Sequence, residues 1–146
     1  MKFLVLSLVF GVSFVYADII SEKFENFESY HKECLPKSGV NPELFQKARQ
    51  GDFVDDEKLK EHIFCISKLF GFQNEAGDIQ KDVLQAKLDT AFKYSILTDI
   101  AVYICDDHFI LRFYNKQLSG PERAFETLKC IKKHHPHSLN DDVFDV

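Results

Sequence analysis

The sequence predicts an all-α fold, a compact bundle of about six short helices stapled by two disulfides. Three observations carry this reading. The long segments repeat their apolar residues at three- and four-residue steps, and none alternates with the two-residue period of a half-buried strand. Four cysteines, Cys34, Cys65, Cys105 and Cys130, are spread along the chain with 30, 39 and 24 residues between them. The 146 residues amount to the length of one domain, enough for a single core.

The chain opens with MKFLVLSLVFGVSFVYA, one positive charge at Lys2 followed by an apolar run and small residues at Val15 and Ala17. This pattern reads as a signal peptide over residues 1–17, which leaves one domain over 18–146 that is secreted and works outside the cell. At about a dozen residues the run is short of the roughly 20 that a membrane span requires, so no membrane insertion is expected. Without Lys2, 17 basic residues face 23 acidic ones, a net charge of −6. Such a surface repels phosphate backbones and anionic lipid, which argues against nucleic acid and membrane surfaces as partners.

The first helix is expected from Ile20, Phe24, Phe27, His31 and Cys34, stopping before Pro36 and Gly39. Asn41 and Pro42 begin a short second helix with Leu44, Phe45 and Ala48 on its face and Gly51 at its end. KLKEHIFCISKLFGF gives the third, capped by Asp55 or Asp56, with Leu59, Ile63, Ile66 and Phe70 on one stripe and Gly71 as its stop. After the loop FQNEAGD a fourth helix starts near Asp78 and points Val83, Leu84 and Leu88 inward. The loop lacks the acid a calcium loop needs at its first position, where Phe72 would stand. From Thr90 to about Asp106 the chain is apolar on nearly all sides, which predicts a central helix with Phe92, Ile96, Ile100, Tyr103 and Ile104 as its main stripe. HFILRFYN either extends this helix or folds back over it. Ser119 and Glu122 stand at capping-box spacing before a sixth helix bearing Ala124, Phe125, Leu128 and Ile131, which Pro136 terminates.

In an oxidising compartment four cysteines are most simply two disulfides, and three pairings are open. No C-x-x-C spacing suggests zinc, and no metal or other cofactor is expected. His62 lies three residues before Cys65, but nothing is placed to orient it as a base, so Cys65 reads as half of a staple. G-x-S-x-G and H-E-x-x-H are absent, and an enzyme is not expected. His134, His135 and His137 beside Asp141, Asp142 and Asp145 read as a solvated tail and not as a metal site. Fifteen Phe and five Tyr stand beside no Trp and one Met. An interior built from flat rings packs densely, and it can also line a cavity for apolar guests.

Six short helices, a secretion signal and cysteines on helices one, three, five and six resemble the insect odorant-binding proteins, the pheromone and general odorant-binding family. The local match is CISKLFGFQNEAGDI, Cys65 to Ile79, and DDEKLKEHIFCISKLFGF is similar to the four-cysteine subgroup. Glu61 and Pro121 occupy the places of the two missing family cysteines, which bond to each other in six-cysteine members, so no thiol is orphaned. The resemblance implies the pairs Cys34–Cys65 and Cys105–Cys130, and helices arranged around an apolar cavity. It implies a carrier of small hydrophobic ligands such as odorants, pheromones or fatty acids. The expected lining is Leu59, Ile63, Phe64, Leu69, Phe70, Phe72, Leu84, Leu88, Phe92, Ile96, Ile100, Phe109, Phe113 and Phe125, with polar selectivity from Tyr94, Tyr103, Ser67 or Thr98. The alternative is a secreted seminal or haemolymph factor with a filled interior that acts through its surface.

Overall fold

A computed structural model describes residues 26–92, 96–106 and 117–134. Among them the chain forms six helices, α1 (Phe27–Ser38), α2 (Pro42–Arg49), α3 (Glu57–Phe70), α4 (Lys81–Phe92), α5 (Ile96–Ile104) and α6 (Gly120–His134). The expected leader, the HFILRFYN segment and the tail beyond His134 lie outside the described residues. No described helix is long and apolar enough to cross a membrane.

At α2, α3 and α6 the start follows a side chain that satisfies a free N–H group of the first turn. Asn41 Oδ1 accepts from the Glu43 N–H at 2.9 Å, with Pro42 opening α2. Asp56 Oδ1 accepts from the Leu59 N–H at 2.8 Å and caps α3, while Asp55 pairs with Lys60 instead. At α6 the capping box closes in both directions: the Ser119 N–H donates to Glu122 Oε2 at 2.9 Å, and the Glu122 N–H donates to Ser119 Oγ at 3.4 Å.

Several expectations are corrected. α1 runs through Pro36 to Ser38. A proline this near the end removes one ladder bond, and the Gly39 N–H still donates to the Leu35 carbonyl at 2.9 Å, in a left-handed cap with φ 63°. α4 begins at Lys81 and not near Asp78, because Asp78 belongs to the preceding loop. Its N–H donates to Asn74 Oδ1 at 2.9 Å, and its carboxylate accepts from Arg123 at 2.8 Å. Thr90 to Phe92 complete α4, and α5 turns most of the expected stripe outward, though Ile104 stays partly buried against the core around Cys105. Ile96 (72% exposed), Ile100 (46%) and Tyr103 face outward, while Thr98, Ala101, Val102 and Cys105 are buried. In a segment this uniformly apolar the hydrophobic pattern does not choose a face; Cys105 chooses it, since its sulfur must meet Cys130. Val83 on α4 is likewise more exposed than expected.

Cys34 bonds to Cys65 with Cα atoms 5.9 Å apart, tying α1 to α3, and Cys105 bonds to Cys130 with Cα atoms 5.6 Å apart, tying the end of α5 to α6. These are the pairs the resemblance implies. Each bridge belongs to its own core cluster. Phe27, Phe45, Leu59, Ile63 and Phe125 pack around the first, and Leu84, Leu88, Val102 and Ile131 pack around the second. No disulfide joins the clusters, and the broad packing of α3 against α6 does so instead.

The loop between α3 and α4 is locked to the start of α6. Gln73 and Ile79 form an antiparallel bridge, and Gln73 Nε2 donates to the carbonyls of Gly77 at 2.9 Å and Gly120 at 3.1 Å. Gly77 has φ 87°, and a Cβ on it would stand 2.5 Å from Gly120 Cα. The position therefore requires glycine both for its backbone and for the close approach.

Candidate functional site

Two adjoining cavities lie between the helices. The first measures about 80 Å³ for the centre of a water-sized sphere and is lined by Phe27, Phe45, Ala48, Arg49, Phe53, Ile63, Ile66, Ser67, Phe70, Phe72, Leu128 and Lys132. The second measures about 70 Å³ and is lined by Ser67, Phe72, Gln73, Ile79, Leu84, Leu88, Ala124, Thr127, Leu128 and Ile131. Ser67, Phe72 and Leu128 belong to both, so the cavities meet along the seam between α3 and α6. Even taken together the two spaces are smaller than the roughly 300–1,000 Å³ of ordinary ligand sites, so a guest must part their walls.

Aromatic faces build the wall of the first cavity. The ring of Phe27 stacks with Phe45 at 6.2 Å and with Phe70 at 6.5 Å, and Phe70 stacks with Phe72 at 5.2 Å. Three cations reach this wall, among them Lys87, whose Nζ lies 5.9 Å from the Phe70 ring centroid. Arg49 lies over the Phe27 ring at 5.6 Å, and Lys132 runs along Gly51, whose position would bring a Cβ within 3.7 Å of the lysine stem.

Behind Phe45 sits a chain of polar groups. Ser38 Oγ donates to the Cys34 carbonyl at 3.0 Å. It also lies 3.0 Å from His62 Nδ1, and His62 Nε2 lies 2.9 Å from His31 Nδ1. With the serine proton committed to the carbonyl, His62 Nδ1–H donates to Ser38, and Nε2 accepts from His31. This arrangement needs a neutral His62. Burial first, then the neighbouring His31, push its pKa down to about 4, against a hydrogen bond to the Cys34 backbone. The His31 pKa is also lowered, chiefly by burial.

Of the residues expected at the site, Ile63, Phe70 and Phe72 line the first cavity, and Phe72, Leu84 and Leu88 line the second. Leu59 and Phe125 are buried and Leu69 half-buried in the core cluster of the first bridge, outside both cavities. Phe125 is held against Phe53 at 5.6 Å. Phe64 faces Gly120, where a Cβ would meet its ring at 2.7 Å, and Lys68 lies 4.7 Å from its centroid. Ile96 and Ile100 are turned outward with the exposed face of α5 and line neither cavity. Phe109, Phe113, Tyr94 and the side chain of Phe92 lie outside what the structure describes. Among the polar candidates Ser67 lines both cavities, Thr98 is buried elsewhere, and Tyr103 is exposed. Sequence reasoning missed Phe27, Phe45, Ala48, Arg49, Phe53, Ile66, Leu128 and Lys132 in the first lining, and Gln73, Ile79, Ala124, Thr127, Leu128 and Ile131 in the second. Phe27, Phe45, Ala48, Ile66 and Leu128 stand on the apolar stripes of their helices, which was the available signal; nothing local marks Arg49 or Phe53.

The family model described as the PBP/GOBP family matches residues 17–134. The B1 protein of Tenebrio molitor is 29% identical over 123 residues, spanning 84% of this chain and 88% of that protein. The B2 protein of the same beetle is 30% identical over 109 residues, spanning 75% and 79%. The crystal structure of odorant binding protein 4 of Chrysopa pallens superposes with a TM-score of 0.64 at 17% identity, covering 81% of this chain and 93% of that one, a likeness of fold. With its two disulfides and without the family's third, the chain belongs to the PBP/GOBP family, in its four-cysteine form.

Proposed function

We propose that the protein is a secreted carrier that takes a small hydrophobic molecule into the paired cavities between α3 and α6. The observation that supports this best is the lining itself. Two spaces of about 80 and 70 Å³ meet at Phe72 and Leu128 and are walled mainly by rings and branched aliphatics. Family membership supports a small-ligand carrier in general terms. Micromolar affinity corresponds to about 8 kcal/mol. At about 25 cal/mol per Å² that needs roughly 330 Å² of buried apolar ligand surface, before the loss of freedom on binding. A ligand of that size needs more room than either cavity alone offers, which suits an odorant, pheromone or fatty acid with an extended hydrocarbon part that runs through both.

A second reading, a factor that acts through its surface, is favoured by the outward row Ile96, Ile100 and Tyr103 on α5. Displacement of bound N-phenylnaphthylamine fluorescence by a panel of volatiles and long-chain lipids separates the two. A carrier binds the probe and releases it to competitors, and substitutions in the lining weaken both effects. A surface factor with a filled interior binds no probe, or binds it in a way that changes at Ile96 or Ile100 do alter and changes at Ala48 do not.

A further inference from the structure

The second cavity is apolar except at Ser67, Gln73 and Thr127. Gln73 (3% exposed) and Thr127 (6%) line it, and Gln73 Oε1 and Thr127 Oγ1 are buried without a hydrogen-bond partner. Buried polar atoms are nearly always satisfied, so two neutral side chains left open beside one cavity call for a ligand group that completes them. The chemistry each can accept is fixed. Gln73 Nε2 already donates to the carbonyls of Gly77 and Gly120. Turning the amide over would set its oxygen against both carbonyls, so Oε1 stays on the other side and can only accept. The Thr127 hydroxyl can donate or accept.

We infer that the second cavity recognises a hydroxyl group, and that the carried molecule is an alcohol whose hydrocarbon part lies in the first cavity. This rests on the carrier reading above. An alcohol O–H can donate to Gln73 Oε1 while its oxygen accepts from Thr127, so a hydroxyl has the chemistry to answer both atoms. Ethers, esters and ketones only accept and leave Gln73 Oε1 without a donor. A carboxylate would set its charge against the Gln73 carbonyl oxygen. The cations Arg49 and Lys132 line the first cavity and not the second, so they offer no relief there; each also keeps other interactions within the protein.

The test compares dodecanol, its isomer methyl undecyl ether and dodecanoic acid as displacers of N-phenylnaphthylamine from the mature protein at neutral pH. Dodecanol should displace about tenfold more tightly than the ether, the factor expected for hydrogen bonds to otherwise open buried groups. Thr127→Val should shrink that preference, chiefly by weakening the alcohol, while Thr127→Ser retains it. Unliganded Thr127→Val should melt no lower than the wild type, because it removes a hydroxyl that has no partner. Equal binding of alcohol and ether overturns the inference, as does an acid that binds more tightly than the alcohol. A lower melting point of unliganded Thr127→Val also overturns it, since the hydroxyl would then have a partner within the protein. In each of these cases the probe is still bound, so the carrier reading stands. Failure of the protein to bind the probe or any member of the series overturns both.

Discussion

Acid should destabilise this protein above all through the His62 imidazole, in a window set by its folded and unfolded pKa values. His62 is fully buried, 0% exposed, with its ring edge-on to Phe45 at 4.7 Å, and both nitrogens are engaged by His31 and Ser38. Its pKa falls from 6.5 to about 4 on folding. The unfolded chain therefore takes up a proton near pH 6.5 that the folded chain refuses until about pH 4. The stability this site contributes is complete above pH 6.5, declines as the pH falls through that interval, and falls no further below pH 4. At 1.36 kcal/mol per unit the interval amounts to about 3 kcal/mol, a large share of the roughly 5–15 kcal/mol that holds a domain folded. The charged groups facing His31 act on the same cluster: Glu28 raises its pKa, while Arg49 and Lys32 lower it. Urea unfolding followed by circular dichroism from pH 7.5 to 3.5 measures the effect. His62→Gln serves as the control because its amide can still bond to His31 and Ser38 without titrating. The wild type should lose about 3 kcal/mol more than His62→Gln between neutral pH and pH 4. Parallel pH profiles for the two proteins would refute the reasoning, because folding would then leave the His62 proton affinity unchanged.

Further outcomes follow from the same geometry. Replacing Cys34 and Cys65 with serine frees a loop spanning 31 positions, and replacing Cys105 and Cys130 frees one of 25; each double variant should lose about 3–4 kcal/mol in denaturant unfolding. Gly77→Ala forces a Cβ into the Gly120 backbone in a left-handed conformation and should cost about 2–3 kcal/mol. Gly39→Ala, left-handed too but with nothing within 4 Å, should cost about 1 kcal/mol, so the order of the two melting points checks the loop contact. Ala48→Leu extends a side chain into the first cavity and should keep or raise the melting temperature while weakening N-phenylnaphthylamine binding about tenfold or more.

Much of the fold was legible because its signals are local. Asn41–Pro42, Asp56 and Ser119–Glu122 declare helix starts through groups a few residues apart, and Gly39 and Gly71 supply left-handed ends. The amphipathic stripe of α3 told which side is buried, since Leu59, Ile63 and Ile66 alternate with charge. α5 gave no such contrast. Its facing side is set by a sulfur partner on α6, and rotating the stripe to pass through Cys105 would have picked out Thr98, Ala101 and Val102. The cavities were half legible for a related reason. An apolar stripe shows that Phe27, Phe45 and Phe125 turn inward, but whether a ring closes a wall or fills the core depends on what stands opposite. Phe125 meets Phe53 and becomes core, whereas Phe27 and Phe70 leave space between them and the α6 seam. The tie from Gln73 to Gly120 spans 47 positions and has no sequence signature.

The central claim is that a ligand lies between the helices, against the seam of α3 and α6. Nuclear Overhauser contacts between the chain of bound dodecanol and methyl-labelled isoleucine and leucine test it directly. Contacts are expected from Ile63, Ile66 and Leu128 to the hydrocarbon end and from Leu84, Leu88 and Ile131 to the hydroxyl end. Contacts confined to Ile96 and Ile100 on the outer face of α5, with the interior methyls silent at saturating ligand, would contradict it.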